Sequence, residues 1–292
     1  MDKPTLIFIH IPKTGGSTLG IVLGRQFPKR VLWRFKPHRR EELIAKFKAL
    51  PEQDRQKYRI LKGHVPYGMH EWAGRPATYI SILREPVDHV SSYYYYVRRR
   101  PTDPLYETFN AEGMSLEAFA RSPLADEWEN MQTRLICGSA VPEAWDPQQP
   151  VTRAMLEAAK ANVERDFACV GLTDRFDESL LLMARIFGWK NVHYVRRRVS
   201  HSRPRGSALD AGAVEAIRAR TALDAELYEF AREHFERQLA EMGGISAAEL
   251  EQFREGNRRF GMYWSAVQEP LIALRKQGRL LRDRYFPGLR RK

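Results

Sequence analysis

An apolar segment that runs into a glycine turn constrains the fold of this chain more than any other feature. Residues 5–9 read Thr-Leu-Ile-Phe-Ile, which is the composition of a buried strand. The turn that follows offers one amine, two glycines and three hydroxyls, from Lys13, Thr14, Gly15, Gly16, Ser17 and Thr18. Backbone N–H groups in such a turn, with the positive end of the next helix, can surround a phosphate. The segment therefore predicts a strand, a phosphate-binding turn and a helix, as in enzymes that use nucleotides.

The order of residues in this turn differs from that of the common ATP-binding loop. The Walker A loop reads G-x-x-x-x-G-K-[ST], with the lysine after the glycines and a hydroxyl placed for magnesium. Here Lys13 precedes Gly15 and Gly16. We therefore expect a nucleotide other than magnesium ATP. The two cysteines, Cys137 and Cys169, lie far apart and lack the spacing of metal ligands, so we expect core residues.

Apolar runs bounded by turn residues recur along the chain and read as strands. They lie at about residues 5–10, 31–35, 58–62, 78–83, 167–170 and 192–195, each followed by a segment with helical periodicity. This alternation predicts an α/β fold with a P-loop-like central parallel sheet and helices on both faces. Ligands bind at the carboxyl ends of the strands in such sheets, where the loops 12–17, 63–70 and 84–86 would meet.

Length and composition indicate one large α/β core with a helical appendage. The 292 residues are 43% hydrophobic, which suits one core of that size. Helical periodicity continues to residue 239, where Gly243 and Gly244 soon interrupt it. We predict a catalytic domain over residues 1–240 and a basic helical C-terminal extension over 241–292. No window approaches 18 consecutive apolar residues, so we expect a cytoplasmic protein without a signal peptide or membrane span.

The net charge of +12 favours anionic partners, and it is unevenly distributed. Residues 271–292 contain eight basic side chains against Asp283, which gives this tail +7 and leaves +5 for the rest. Apolar residues in the tail approximate one face of a helix between the basic ones, a pattern typical of peripheral contact with an anionic membrane. Core packing with a solvated basic face is the alternative.

A second strand-to-helix junction lies at residues 78–96. Arg84 closes the predicted strand, and Pro86 can begin a helix. Ser92 follows Arg84 by eight positions, which is about two helical turns and places the two residues near the same face. A guanidinium and a hydroxyl in this arrangement could bind a second phosphate, whereas an Arg–Glu surface pair with a solvated serine is the structural alternative.

Together, the two junctions resemble the 5′-phosphosulfate and 3′-phosphate motifs of sulfotransferases that use 3′-phosphoadenosine 5′-phosphosulfate (PAPS). The run Ile-Pro-Lys-Thr-Gly-Gly-Ser-Thr at 11–18 is similar to the first motif. Leu83-Arg-Glu-Pro with Ser92-Tyr-Tyr-Tyr95 is similar to the second, in the form found in heparan sulfate 2-O- and 6-O-sulfotransferases. Segments 129–138 and 170–179 extend the resemblance, which runs from about residue 5 to 240. It implies a soluble, bacterial-type carbohydrate O-sulfotransferase.

The resemblance also implies roles for individual residues. Lys13 would contact the leaving 5′-phosphate, and the backbone and hydroxyls of residues 14–18 would complete its cradle. Arg84 and Ser92 would bind the 3′-phosphate. A basic loop that contains Arg197 and Ser200 would help to close over the nucleotide. Because an S–O bond is broken, the lysine would supply the positive charge, and no metal would be needed.

A histidine is the expected general base, since an acceptor hydroxyl must lose its proton as it attacks sulfur. His64, in Lys62-Gly-His, resembles the catalytic histidine of the 2-O-enzymes, although Lys62 replaces the first histidine of their His-Gly-His. His70 is the main competitor for this role. His89 is a second departure, because the family often has an arginine five positions after the motif arginine.

The expected acceptor is a glycan or glycolipid, and this class comes from the resemblance alone. Candidate acceptor-binding side chains are His70, Asn130, Gln132 and Arg134. Nucleic acid is not expected, because the tyrosines at 93–96 lie on a predicted helix and not on strands that present stacking platforms. Two alternatives stay open: a P-loop-type nucleotide kinase, and a non-catalytic protein that binds polyanions through its arginine runs.

Overall fold

The central element is a parallel sheet of five strands. The computed structural model describes residues 3–138, 149–195 and 208–268. Within these ranges the strands are β1 (Thr5–Ile9), β2 (Leu32–Phe35), β3 (Ile60–Gly63), β4 (Ala77–Leu83) and β5 (Phe167–Leu172). Their order is β2-β3-β1-β4-β5, and every neighbouring pair is parallel. The predicted fold class is confirmed.

Helices cover both faces of the sheet. In chain order they are α1 (Gly16–Gln26), α2 (Arg40–Lys48), α3 (Glu52–Arg55), α4 (Pro86–Val97), α5 (Tyr106–Asn110), α6 (Leu116–Arg121), α7 (Met131–Cys137), α8 (Arg153–Asp166), α9 (Phe176–Phe187), α10 (Ala211–Arg220), α11 (Ala222–Glu241) and α12 (Ala247–Tyr263). All five residues of β1 are buried, so both faces of the sheet are covered.

The strand register brings the motif-bearing loops to one edge of the sheet. Ile9, the last residue of β1, is paired with Gly63 on β3 and with Ser81 on β4. The turn after β1, the loop after β3 and the junction after β4 therefore leave the sheet from neighbouring positions at its carboxyl edge. This juxtaposition is the one that the sequence predicts.

The sixth predicted strand, at residues 192–195, does not form. The chain there forms no part of the sheet. The backbone N–H of Tyr194 donates to Oδ1 of Asn257 on α12 (2.9 Å), and the Tyr194 hydroxyl donates to Asp177 on α9 (2.7 Å). The apolar pattern is real, because Val192 and Tyr194 are buried. Helices, not a neighbouring strand, provide the burial.

The connection from β3 to β4 also departs from the expected alternation of strands and helices. Residues 64–76 contain one 3₁₀ turn, Met69–Trp72, where a helix was expected. The connection must pass from β3 to β4 across β1, and it runs along the sheet with Tyr67 and Met69 buried. The Tyr79 hydroxyl accepts hydrogen bonds from the N–H groups of Gly68 (3.1 Å) and His70 (2.9 Å), which substitute for helical hydrogen bonds.

Two regions lie beside the sheet. The helices α4, α5, α6 and α10 enclose a second apolar cluster, built around Val90, Val97, Phe109, Phe119 and Ile217. On the other side, α12 packs on α9, and its Phe253 joins the main core. Arg185 of α9 forms an ion pair with Glu249 of α12 at 2.6 Å. The division at residue 240 stays a prediction, although α12 contacts the larger unit closely.

Candidate functional site

The turn after β1 is closed by its own hydrogen bonds and by two left-handed residues. The Thr14 hydroxyl donates to the Ile11 carbonyl (2.9 Å). Lys13 has φ 66° and Gly15 has φ 87°, which is a costly region for a residue with a Cβ atom. Gly16 begins α1 directly over the imidazole of His10, and a Cβ atom at this position would overlap that ring. Glycine is therefore required at 16 by the packing beneath the helix.

The start of α1 has the character of an anion site. Its first turn contains no acidic residue, and its N-cap residue, Gly15, has no side chain that could cap it. Its backbone N–H groups and positive dipole end therefore suit a phosphate. The Ser17 side chain is exposed at this end, whereas Thr18 is buried. Lys13 precedes the helix and adds a full positive charge nearby.

Arg84 joins the two predicted phosphate motifs. Its Nη1 donates to the carbonyl oxygen of Lys13 (2.5 Å) and to the Ser92 hydroxyl (3.0 Å). Its Nε forms an ion pair with Asp88 at 2.6 Å. The sequence predicted that Arg84 and Ser92 share a helical face, and the structure brings them into direct contact. It adds the contact with the first loop, which spacing alone did not predict.

Lys13 lies against the tyrosine run of α4. Its Nζ is 3.6 Å from the centre of the Tyr96 ring, within the range of a cation–π contact. The four tyrosines face different ways, as expected for consecutive helical residues. Tyr94 is buried and donates to the Met114 carbonyl (2.6 Å), and Tyr93 stacks on Trp128. Tyr96 therefore belongs to the site, and Tyr94 belongs to the core.

His89 connects α4 to the phosphate-binding turn. Its Nε2–H donates to the Pro12 carbonyl oxygen (2.7 Å). Burial lowers the pKa of His89 to about 4, although the hydrogen bond to Pro12 acts in the opposite direction. The imidazole is therefore neutral at pH 7. The departure from the family motif at this position is thus an uncharged side chain that holds the loop.

His64 lies at the carboxyl end of β3 and stacks on His10. The two ring centres are 4.3 Å apart. Burial, and next the positive charge of Arg40, lower the pKa of His64 to about 4, so it is neutral at pH 7. Because His10 also packs under Gly16, one aromatic ring separates His64 from the start of α1. Lys62 points elsewhere, and its Nζ donates to the Gly20 carbonyl (2.7 Å).

His70 lies further from the carboxyl edge of the sheet than His64, beside Tyr79 of β4. Its Nδ1 is 2.8 Å from the Tyr79 hydroxyl. That hydroxyl already accepts two backbone N–H groups, so its proton is directed at Nδ1. Tyr79 precedes Arg84 by five residues along β4, which corresponds to about 16 Å. The structure therefore places His64, and not His70, beside the predicted phosphate-binding loops.

The three other candidate acceptor residues lie on or beside α7 and are buried. Gln132 is fully buried, and its amide pairs with the backbone of Arg84. The Asn130 side chain accepts from the N–H of Asp224 (2.9 Å), and Arg134 donates to the Gln149 carbonyl (2.7 Å). Their acceptor role stays a prediction, and their observed contacts are with protein backbone.

Sequence reasoning did not assign two residues that hold the loop. The Thr173 hydroxyl lies within hydrogen-bond distance of the carbonyl oxygens of Thr14 (2.9 Å) and Leu83 (3.0 Å). Phe176 packs against Gly15, where a Cβ atom would lie 3.0 Å from its ring. Both residues fall in the 170–179 segment that carries the family resemblance, and this was the available signal. That segment therefore supports the turn from the β5 side.

Several predicted features lie outside the described residues. These are the closing loop with Arg197 and Ser200 and the basic tail at 271–292, so both predictions remain untested. In the ranges that the structure covers, no helix has the length and apolar character needed to cross a membrane. Across the same ranges, no group of three or more His, Cys, Asp or Glu side chains is arranged to hold a metal ion.

Comparison with known proteins finds relatives over most of this chain. The profile of the galactose-3-O-sulfotransferase family matches residues 2–277. The chain is 28% identical over 271 residues to galactose-3-O-sulfotransferase 3 of Bos taurus, covering 86% of this chain and 62% of that protein. It is 25% identical over 277 residues to heparan-sulfate 6-O-sulfotransferase 1 of Cricetulus griseus, covering 79% of this chain and 67% of that protein.

These matches extend the resemblance read from the two motifs. The chain spans about two thirds of the length of the curated relatives it matches. The family match continues past residue 240, where the motif-based resemblance ended, and includes α12. The predicted membership of a sulfotransferase family is confirmed, and the chain belongs to the galactose-3-O-sulfotransferase family.

Proposed function

We propose that this protein transfers a sulfuryl group from PAPS to a hydroxyl of a carbohydrate or glycoconjugate. The observation that carries the proposal is the position of Arg84, which contacts both the Lys13 carbonyl and the Ser92 hydroxyl. One guanidinium thus links a loop suited to a 5′-phosphosulfate with a side-chain pair suited to a 3′-phosphate. The carbohydrate acceptor is supported by the named activities of the relatives.

The residues present fit the proposed donor. The uncapped start of α1 and the exposed Ser17 would hold the 5′-phosphate. Arg84 and Ser92 would hold the 3′-phosphate, with the guanidinium exchanging part of its contact with Asp88 for the ligand. When bound, PAPS would supply the sulfuryl group and a phosphate as leaving group.

Two side chains would then act on the reacting atoms. Lys13 is the cation nearest the start of α1 in sequence, and it would stabilise negative charge on the leaving oxygen. His64 would accept the proton of the acceptor hydroxyl. Its low pKa keeps it in the neutral, proton-accepting form at pH 7. Negative charge bound at the neighbouring loop acts in the direction that raises this pKa and strengthens the base.

Transfer from labelled PAPS to a panel of glycans and glycolipids, with identification of the sulfated product, tests the proposal. Lys13→Ala should lower turnover by about 10²- to 10³-fold, the usual cost of removing one charge-stabilising group. Arg84→Ala should also remove transfer and should weaken binding of adenosine 3′,5′-bisphosphate in calorimetry. Arg99→Ala, an exposed arginine at the end of α4, is the matched control and should behave as the wild type.

The alternatives give different results in the same assays. A P-loop-type kinase would hydrolyse ATP or transfer its phosphoryl group in the presence of magnesium, and it would not use PAPS as a donor. A non-catalytic polyanion-binding protein would bind heparin-like chains in a steeply salt-dependent manner that Lys13→Ala leaves unchanged. Normal bisphosphate affinity in both the Lys13 and Arg84 variants would exclude the proposed donor.

A further inference from the structure

The side chain of Gln132 forms a two-point clamp on the backbone of Arg84. Its Oε1 accepts from the Arg84 N–H (2.9 Å), and its Nε2 donates to the Arg84 carbonyl (2.8 Å). Arg84 is the first residue beyond the end of β4. An amide side chain carries a donor and an acceptor together, so it can pair with a backbone in the way that a neighbouring strand would.

The clamp is itself fixed by a buried carboxylate on α11. Oxygens of Asp224 accept from the N–H groups of Gln132 (3.1 Å) and Thr133 (2.7 Å) and from the Thr133 hydroxyl (2.8 Å). These N–H groups lie in the first turn of α7, where a helix cannot satisfy its own donors. Asn130 completes the connection by accepting from the Asp224 N–H.

A continuous series of hydrogen bonds therefore connects the interior to the candidate 3′-phosphate site. It runs from Asp224 to Gln132, from Gln132 to the Arg84 backbone, and from the Arg84 side chain to Ser92 and the Lys13 carbonyl. Asp224 is 1% exposed and Gln132 is 0% exposed, so solvent does not compete with these bonds. A solvent-shielded, fully bonded pair of this kind holds its partner in one position.

We propose that Gln132, oriented by Asp224, is a positioning residue that fixes Arg84 to receive the 3′-phosphate of the nucleotide. This inference rests on the proposed function. Neither side chain would touch the ligand. Without the clamp, the N–H and carbonyl of Arg84 would lose their hydrogen bonds to Gln132 at the end of β4. The backbone from which the guanidinium extends would then no longer be held in one position. The effect should be specific for ligands that carry a 3′-phosphate.

Calorimetry on the full chain with two nucleotides tests this assignment. Adenosine 3′,5′-bisphosphate uses both phosphate sites, whereas adenosine 5′-phosphate uses only the loop at α1. Gln132→Met keeps the length of the side chain but removes both hydrogen bonds to the Arg84 backbone, together with the side-chain hydrogen bond to Asp224. We expect it to weaken bisphosphate binding by about tenfold, since one hydrogen-bonded contact is worth about that factor. The affinity for the 5′-phosphate should change much less, because Arg84 reaches that loop only through the Lys13 carbonyl.

Asn162→Leu is a control for general damage to α7. Asn162 is a buried amide whose Nδ2 donates to the carbonyls of Ile136 (3.0 Å) and Cys137 (3.2 Å), at the other end of the same helix. The Asn162→Leu substitution should lower the thermal stability, but the ratio of the two nucleotide affinities should stay as in the wild type. A purely structural role for Gln132 would give this same result, so the ratio separates positioning from stability.

The outcomes are distinct. A folded Gln132→Met protein with the wild-type affinity ratio would overturn the assignment. If that variant does not fold, Asp224→Asn decides in the same way, because it keeps the shape of the side chain and removes one acceptor from the start of α7. Wild-type protein that binds neither nucleotide would overturn the proposed function and this assignment together, whereas failure of the ratio test alone would leave the proposed function standing.

Discussion

His64 occupies a position where a histidine is held neutral and close to a phosphate-binding loop. It stacks on His10, and in the described part of the chain its buried Nδ1 has no hydrogen-bond partner. Burial and the nearby charge of Arg40 lower its pKa to about 4. A neutral imidazole can accept a proton, whereas the Nδ1 of His70 already accepts a hydrogen bond from the Tyr79 hydroxyl. The environment thus favours His64 as the base.

Replacement of each histidine by alanine distinguishes the two candidates. His64→Ala should lower turnover by about 10²- to 10⁴-fold, the usual contribution of a general base. Its affinity for adenosine 3′,5′-bisphosphate should stay close to that of the wild type, since His64 lies beside the loop and not in it. His70→Ala should retain most of the turnover. Steady-state assays with calorimetry would contradict this assignment if activity survived in the first variant and disappeared in the second.

At the scale of elements, the close approach of α1 to β1 shapes the site. Gly16 lies directly on the His10 ring, and the helix begins there without a capping side chain. Lys62 of β3 supports the same helix further along, through the Gly20 carbonyl. The helix starts close to the sheet, so that its first N–H groups lie at the carboxyl edge. This close start requires glycine at position 16, and Gly15 before it has no side chain to cap the helix.

Two alanine substitutions in α1 test this packing. Gly16→Ala should lower the free energy of unfolding by about 1–3 kcal/mol through overpacking against His10, and it should weaken nucleotide binding. Gly20→Ala is the matched control, because a Cβ atom there meets nothing within 4 Å. It should be neutral or raise stability by about 0.5–1 kcal/mol through helix propensity. Denaturant unfolding measures both values, and equal stability of the two variants would refute the packing argument.

The β3–β4 connection and α12 determine where residues of two sequence patterns lie in the fold. The connection has little helix because it must cross β1 within thirteen residues, and it therefore leaves His64 at the carboxyl edge and takes His70 down the sheet. The helix α12 supplies Asn257, which pairs with the Tyr194 backbone. The segment with a strand-like sequence therefore contacts helices and is not part of the sheet.

At the scale of the whole molecule, buried ionisable groups set the response to acid. His64 and His89 both have a pKa of about 4, below the ordinary value of 6.5. Unfolding between pH 4 and 6.5 therefore takes up protons, and stability falls as the pH falls through this window. Burial raises the pKa of Asp224 from 3.8 to about 6, and its contribution has the opposite sign, being lost as the pH rises through 6.

We expect the two histidines to outweigh the single aspartate, so that the protein loses stability from pH 7 towards pH 4. His64→Gln should make this loss smaller by up to about 3 kcal/mol, at about 1.4 kcal/mol for each pH unit of the pKa change. His38→Gln, at an exposed position, should leave the pH dependence as in the wild type. Urea unfolding at several pH values provides the measurement, and parallel curves for His64→Gln and the wild type would contradict it.

The local parts of this protein can be predicted from the amino-acid sequence. The strand, turn and helix over residues 5–26 and the pairing of Arg84 with Ser92 depend on neighbours within about two helical turns, so their geometry follows from backbone preferences. The parallel sheet and its carboxyl-edge site follow from the alternation of such units. Family membership could be read from the same two motifs.

The distant groups that hold the site together become visible in the folded chain. Gln132 meets Arg84 across 48 positions of sequence, Asp224 meets Gln132 across 92, and His89 meets Pro12 across 77. No local preference encodes these contacts, because each depends on how separate helices pack on the sheet edge. The same packing assigned His64 and His70 to different heights on the sheet. The glycine turn after β1 could thus be predicted from the sequence, whereas the contacts that hold it depend on the fold around it.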